Sequence, residues 1–142
     1  MTIAKMTVWE LEKFLRAEFP QAFSGDDILI EAADGASCRL RQQYSERMLR
    51  PGGTISGPTL MALADFAMYV VLLSAIGPVG LAVTTNLNIN FLRKGVPGHD
   101  VLAEARILKL GKRLAVGEVS LLSASSPDPI AHVTATYSIP VA

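Results

Sequence analysis

The chain has 142 residues, with 13 Lys plus Arg against 13 Asp plus Glu, so its formal net charge is zero. No global field draws it to nucleic acid or to an anionic membrane, and any anion recognition must be local. Half of the residues are hydrophobic and mean hydropathy is +0.35, enough for one domain over 1–142 with a real core, and with apolar surface left to bury between subunits.

The opening stretch, MTIAKMTVWELEKF, lacks the continuous apolar run of a secretory signal because Glu10, Glu12 and Lys13 interrupt it. Thr7 followed by Glu10 has the form of a capping box, and Val8, Leu11, Phe14 and Leu15 then recur at helical spacing. The pattern predicts a short amphipathic helix ending near Pro20. From Ile28 to Tyr44 the chain reads as two strands around Asp34-Gly35, a dipeptide suited to a tight hairpin. Cys38, in the second strand, is the single cysteine. It excludes an internal disulfide and a cysteine-rich zinc site, and makes a reducing cytoplasm the expected compartment.

The segment SERMLRPGGTISGP is a loop by composition, and Pro58 suits the first turn of a helix, where a missing N–H costs nothing. A helix that is apolar on nearly every side then runs to about Ile76. The uncharged stretch from Phe66 to Val83 approaches the length of a membrane span, but Gly77, Pro78 and Gly80 divide it. Its uninterrupted part, Phe66 to Ile76, extends only about 16 Å against a ~30 Å hydrocarbon core. A buried central helix is the reading that remains. Four strands follow, over roughly Leu81–Leu92, Val101–Leu110, Leu114–Ser123 and Ile130–Ile139. The order of helix, strand pair, long helix and four strands predicts an α+β domain in which an antiparallel sheet wraps the central helix.

One carboxylate, Asp65, interrupts that helix, and its helical neighbours Met61, Ala62, Met68 and Tyr69 carry no positive charge. An ionised carboxylate is costly to bury without partners. At the helix start Gly57 can offer an unpaired N–H to an anion or an oxyanion, while Ser56 can cap the helix or bond a ligand. Oxyanion donors and a carboxylate together form a site for attack of water on an acyl carbonyl. An ordinary capped helix and a carboxylate bonded to a strand or a subunit seam are the plainer alternatives.

The run GGTISGPTLMALADFA, then TTNLNINFLRKG, then AEARILKLGKRLAVGEVSL, resembles the hotdog-fold acyl-CoA thioesterases of the phenylacetate-pathway, PaaI-like type, over roughly Leu49 to Ile139. The resemblance implies a long helix wrapped by an antiparallel sheet, homodimers that often pair into homotetramers, active sites at the dimer seam and no metal. Coenzyme A enters as part of the substrate and no separate cofactor is used. The family's acidic position falls on Asp65, its first motif glycine on Gly57 and a strand hydroxyl on Thr84. Gly57 N–H would polarise the thioester carbonyl. Asp65 from the partner subunit would activate water or attack directly, and Thr84 could orient that water. Three positions depart from the pattern. Ser56 replaces the motif histidine, Pro58 its second glycine, and Arg50 an upstream asparagine.

Arg50 is either a solvated loop cation or a group that binds an anionic acyl chain or part of coenzyme A. Arg93, Lys94, Lys112 and Arg113 look like the family's nucleotide-binding positions, Arg93 and Arg113 foremost, and taken alone they are strand-end charges of the sort that also blunt sheet edges. His99 and His132 lack metal-ligand spacing. Asn86, Asn88 and Asn90 share one strand face, as a polar network at the subunit contact or as an exposed surface. Two competing functions remain. One is a non-catalytic acyl-CoA-binding module, favoured by the three departures, and the other is a hotdog hydratase or dehydratase.

Overall fold

Local sequence sets each element before packing does. The computed structural model describes residues 4–141. Helix α1 spans Val8–Glu18, and its start is the reciprocal cap expected of Thr7 and Glu10: Glu10 N–H donates to Thr7 Oγ1 at 3.1 Å, and Thr7 N–H to Glu10 Oε1 at 3.0 Å. Leu11 and Leu15 are its buried positions. Strands β1, Ile28–Ala33, and β2, Ser37–Gln42, form the hairpin, closed by Asp34 Oδ1, which accepts from Ala36 N–H at 2.9 Å and Ser37 N–H at 2.7 Å. A single 3-10 turn at Glu46–Met48 follows, inside the segment read as a loop.

Helix α2 covers Gly57–Ile76, and strands β3 to β6 cover Val83–Phe91, Val101–Leu110, Leu114–Ser123 and Pro129–Ser138. All pairings are antiparallel, in the order β1-β2-β4-β5-β6-β3. The third strand begins two residues later than its apolar run because Leu81, 80% exposed, still belongs to the turn after the helix.

At 20 residues and mean hydropathy 2.0, α2 is long and apolar enough to cross a membrane, yet most of it lies inside the curl of the sheet. Gly117 on β5 makes that approach possible: a Cβ there would stand 2.5 Å from Met68 Sδ and 2.8 Å from Arg106 O. Coverage is less complete than the sequence suggests. Met61 is 40% exposed, Ala62 is exposed and Asp65 half-buried, so one strip of the first turns of α2 stays open. Behind the sheet the solvated face carries cross-strand pairs, Arg41 with Glu31 and Asp100, and Arg106 and His132 with Glu118. These explain the arginines of β2 and His132 as surface partners of carboxylates.

Candidate active site

Asp65 sits at the open strip of α2, and two strands reach it. Thr84, near the start of β3, donates its hydroxyl to Asp65 Oδ1 at 2.5 Å. Tyr137, near the end of β6 and paired with Thr84 across the ladder, donates to the same oxygen at 2.7 Å and to the Asp65 carbonyl oxygen at 3.0 Å. Oδ1 is thereby held, and Oδ2 makes no hydrogen bond among the described residues. Both donors are neutral. Burial pushes the Tyr137 hydroxyl well above the ordinary tyrosine range, so it stays a proton donor to the carboxylate.

Tyr137 is the partner of Asp65 that the sequence reading missed. Its signal was there: in β6 it alternates with Val133 and Ala135 on the buried face, and a buried tyrosine hydroxyl requires a partner.

The start of α2 lies in a different cleft. Ser56 is its N-cap, with Oγ accepting from Thr59 N–H at 3.3 Å and 2.8 Å from Thr59 Oγ1. Gly57 is the first helical residue, so its N–H has no acceptor within the helix. The side chain packed on it is Phe91, the last residue of β3, 3.2 Å from where a Cβ would stand. Gly52 and Gly53, at φ of 100° and 80°, turn the preceding loop back on itself, and Leu49 bridges to Ile55. That turn sets Arg50 in the cleft with Gly57, Arg93 and Lys94, in a volume of about 470 Å³ whose lining includes no carboxylate. Arg93 is steadied by a 2.7 Å bond from Nη1 to Pro129 O.

Within one chain, then, the proposed groups fall into two places. Gly57, Ser56, Arg50 and Arg93 gather near the Phe91 end of β3, whereas Asp65 and Thr84 gather near its Val83 end. Gly57 and Asp65 are eight residue steps apart on the helix, about 12 Å along its axis. Arg113 lies at the Asp65 end, where Ile139 N–H donates to its carbonyl oxygen at 2.7 Å and neighbouring Leu114 pairs with Ser138. It is therefore remote from Arg93. Among the described residues no group of three His, Cys, Asp or Glu is placed to hold a metal ion.

A sheet of this order around one long helix, with a carboxylate and a free helix N-terminus at opposite ends of one edge strand, is the architecture of hotdog-fold thioesterase-like proteins. The sequence model of the Thioesterase superfamily matches residues 52–129, and the chain belongs to that superfamily. A protein of Silicibacter sp. TM1040 whose name places it among the thioesterases is 42% identical, with a TM-score of 0.87 over 97% of this chain and 94% of that one. A Saccharolobus solfataricus protein named for an esterase is 30% identical over 122 residues, 85% of this chain and 78% of its own length. Two more distant structures share the fold. The Escherichia coli PaaI protein of the phenylacetic acid degradation operon is 21% identical, with a TM-score of 0.76 over 92% and 95% of the two chains. A Streptococcus mutans protein solved with acetyl-CoA is 20% identical, with a TM-score of 0.72 over 81% and 90%.

Proposed function

We propose that the protein is an acyl-CoA thioesterase that works as a dimer, with each active site drawing Gly57 from one copy and Asp65 and Thr84 from the other. The observation that carries this reading is the placement of the two half-sites beside opposite ends of β3, Gly57 against Phe91 and Asp65 against Thr84. That strand is an edge of the sheet, nine residues long, with neither a charge nor a proline to discourage pairing. The opposite edge, β1, is shorter, carries Glu31 and has an irregularity between Ile30 and Ala32. Antiparallel pairing of two β3 edges sets the Val83 end of one strand beside the Phe91 end of the other. Asp65 of the partner subunit then stands opposite Gly57, and Arg113 of the partner subunit approaches Arg93. Further pairing into a tetramer adds nothing the chemistry needs.

In this arrangement the thioester oxygen takes the Gly57 N–H, which stabilises the negative charge that develops there. Water attacks the carbonyl carbon, its proton passes to Asp65 Oδ2, and as the C–S bond breaks that proton moves on to the departing sulfur, giving the acid and the free thiol of coenzyme A. Direct attack by Oδ2, with water cleaving the resulting anhydride, uses the same groups. Arg50, Arg93 and Lys94 supply a cationic wall beside Gly57 suited to the phosphates of coenzyme A. The acetyl-CoA seen in the Streptococcus mutans structure supports a ligand of this class.

The test is thiol release from a panel of CoA thioesters, run beside calorimetry. Release at a rate that falls with Asp65→Asn supports hydrolysis. Tight binding without release in the wild type would instead make the protein a binding module, and hydration of an enoyl ester without release would make it a hydratase.

A further inference from the structure

Asp65 forms one side of a cavity of about 910 Å³ whose other walls are mainly aromatic and aliphatic. Phe14 comes from α1 and Phe19 from the residue that ends it, Phe66 and Tyr69 come from α2, and Val83 opens β3. These walls brace one another. Phe19 meets Tyr69 edge-on and Phe66 at a tilt, with ring centroids 5.9 and 6.1 Å apart. The polar groups of the lining are already engaged: Tyr69 donates its hydroxyl to Gly80 O at 2.9 Å, and Thr84 and Tyr137 donate to Asp65. The ionisable groups left on the wall are two carboxylates, Asp65 and Glu18, while the cations line the other cleft.

We infer that this cavity receives the acyl chain, that Phe14 and Phe19 set the size it accepts, and that the substrates are CoA thioesters of uncharged, apolar acids. A third carboxylate brought in beside Asp65 and Glu18, with no cation on the wall, would be strongly disfavoured. The cationic cleft and the aromatic cavity thus divide the substrate, coenzyme on one side and acyl group on the other. The nature of the ligand rests on the hydrolase reading, but the selecting wall does not follow from family membership: Phe14 and Phe19 lie outside residues 52–129. Gly80 offers an independent handle, since a Cβ there would lie 3.1 Å from Phe14 Cζ and 3.8 Å from the Tyr69 hydroxyl. A larger side chain at that position, itself on the cavity wall, fills space beside Phe14 and shortens the room left for an acyl chain.

Two measurements test the inference in variants whose thermal melts show a folded protein. Calorimetry with S-butyl-, S-octyl- and S-dodecyl-CoA thioethers, which cannot be hydrolysed, should show wild-type affinity rising by up to about fourfold per methylene until the cavity is filled. In thiol release, pentanoyl-CoA should exceed glutaryl-CoA by at least about tenfold, the discrimination expected of an unpaired charge. Phe14→Ala and Phe19→Ala should raise the dodecanoyl-to-butanoyl ratio of kcat/KM about tenfold or more, and Gly80→Val should lower it by a similar factor, a few methylenes' worth of contact. A ratio unchanged in all three folded variants, an equal loss for every ester, or a preference for glutaryl-CoA would overturn the inference. If the wild type binds the thioethers with this length dependence but hydrolyses no ester, the hydrolase reading fails and the acyl cavity stands. Thioether affinity independent of chain length removes the cavity whatever the protein hydrolyses.

Discussion

Tyr137 and Asp65, 72 residues apart in sequence, are joined twice: one phenolic hydroxyl donates to both the carboxylate and the backbone carbonyl oxygen of the same residue, at 2.7 and 3.0 Å. The carboxylate is therefore fixed to its own helix backbone through a side chain from strand β6. Tyr137→Phe keeps the ring stacked on Tyr69, 6.2 Å between centroids, and removes only the donor. We expect kcat for thioester hydrolysis to fall about 10- to 100-fold, at the modest end of general-base effects, with stability lowered by about 1 kcal/mol. Steady-state kinetics and urea unfolding on the same preparation check both. An unchanged kcat would remove Tyr137 from the orientation of Asp65.

Asp65→Asn retains an oxygen that accepts from Thr84 and Tyr137, and Asp65→Ala still leaves Tyr137 the backbone oxygen. Both variants should fold, with stability within about 1 kcal/mol of wild type. Their thiol-release rate should drop about 10³-fold, since proton acceptance is lost while the oxyanion donor remains. Full turnover in either folded variant excludes the carboxylate from the chemistry.

Gly117 bears on stability rather than chemistry. The Cβ of Gly117→Ala would meet Met68 Sδ and the Arg106 carbonyl at 2.5 and 2.8 Å, one a flexible side chain and the other backbone. Overpacking of this kind costs about 1–3 kcal/mol. The urea midpoint should fall accordingly, and a midpoint equal to wild type would mean that α2 is not pressed onto β5 there.

Asn88 is exposed on β3 and donates to Asn86 Oδ1 at 2.6 Å. Asn88→Lys places a charge on each of two copies where their edges would meet, the means by which sheet edges are kept apart. Sedimentation should then report a species of half the wild-type mass, and thiol release should fall with it. Full activity in a monomer would dispose of the shared active site.

Cys38 supplies a pH prediction. Its thiol, donating to Ala67 O at 3.4 Å, is pushed by burial from 9.0 up to about 12. Burial likewise moves the Tyr69 and Tyr137 hydroxyls upward. All three lose their protons more readily when the chain unfolds, so the Cys38 contribution is complete below pH 9 and is lost as pH rises from there towards 12, and the tyrosine contributions begin to fall only above pH 10. The urea midpoint should decline between pH 9 and pH 10.5, and decline less in Cys38→Ala. A native protein whose Cys38 reacts with iodoacetamide at pH 8 as fast as the unfolded chain would contradict the burial.

Much of this was legible in the sequence. The cap at Thr7 and Glu10, the turn at Asp34, and β4 and β5 follow from local signals that tertiary packing has no reason to override. The strand order was not legible: that β3 returns to pair with β6 and lie on the outside depends on the whole sheet closing around α2. The site divides the same way. Asp65 stood out as a lone charge in an apolar helix, and Gly57 as a helix start. Tyr137 looked like one more inward strand residue, and Phe14 like part of the buried stripe of α1, because neither shows in sequence which distant residue it meets.

The two helical turns between Gly57 and Asp65 act as a ruler. At that length no single chain brings its own Gly57 amide to its own Asp65, so under the proposed mechanism each newly made chain would be latent. Thioester cleavage would begin only when two finished chains meet, and at low abundance its onset would rise with the square of the amount made.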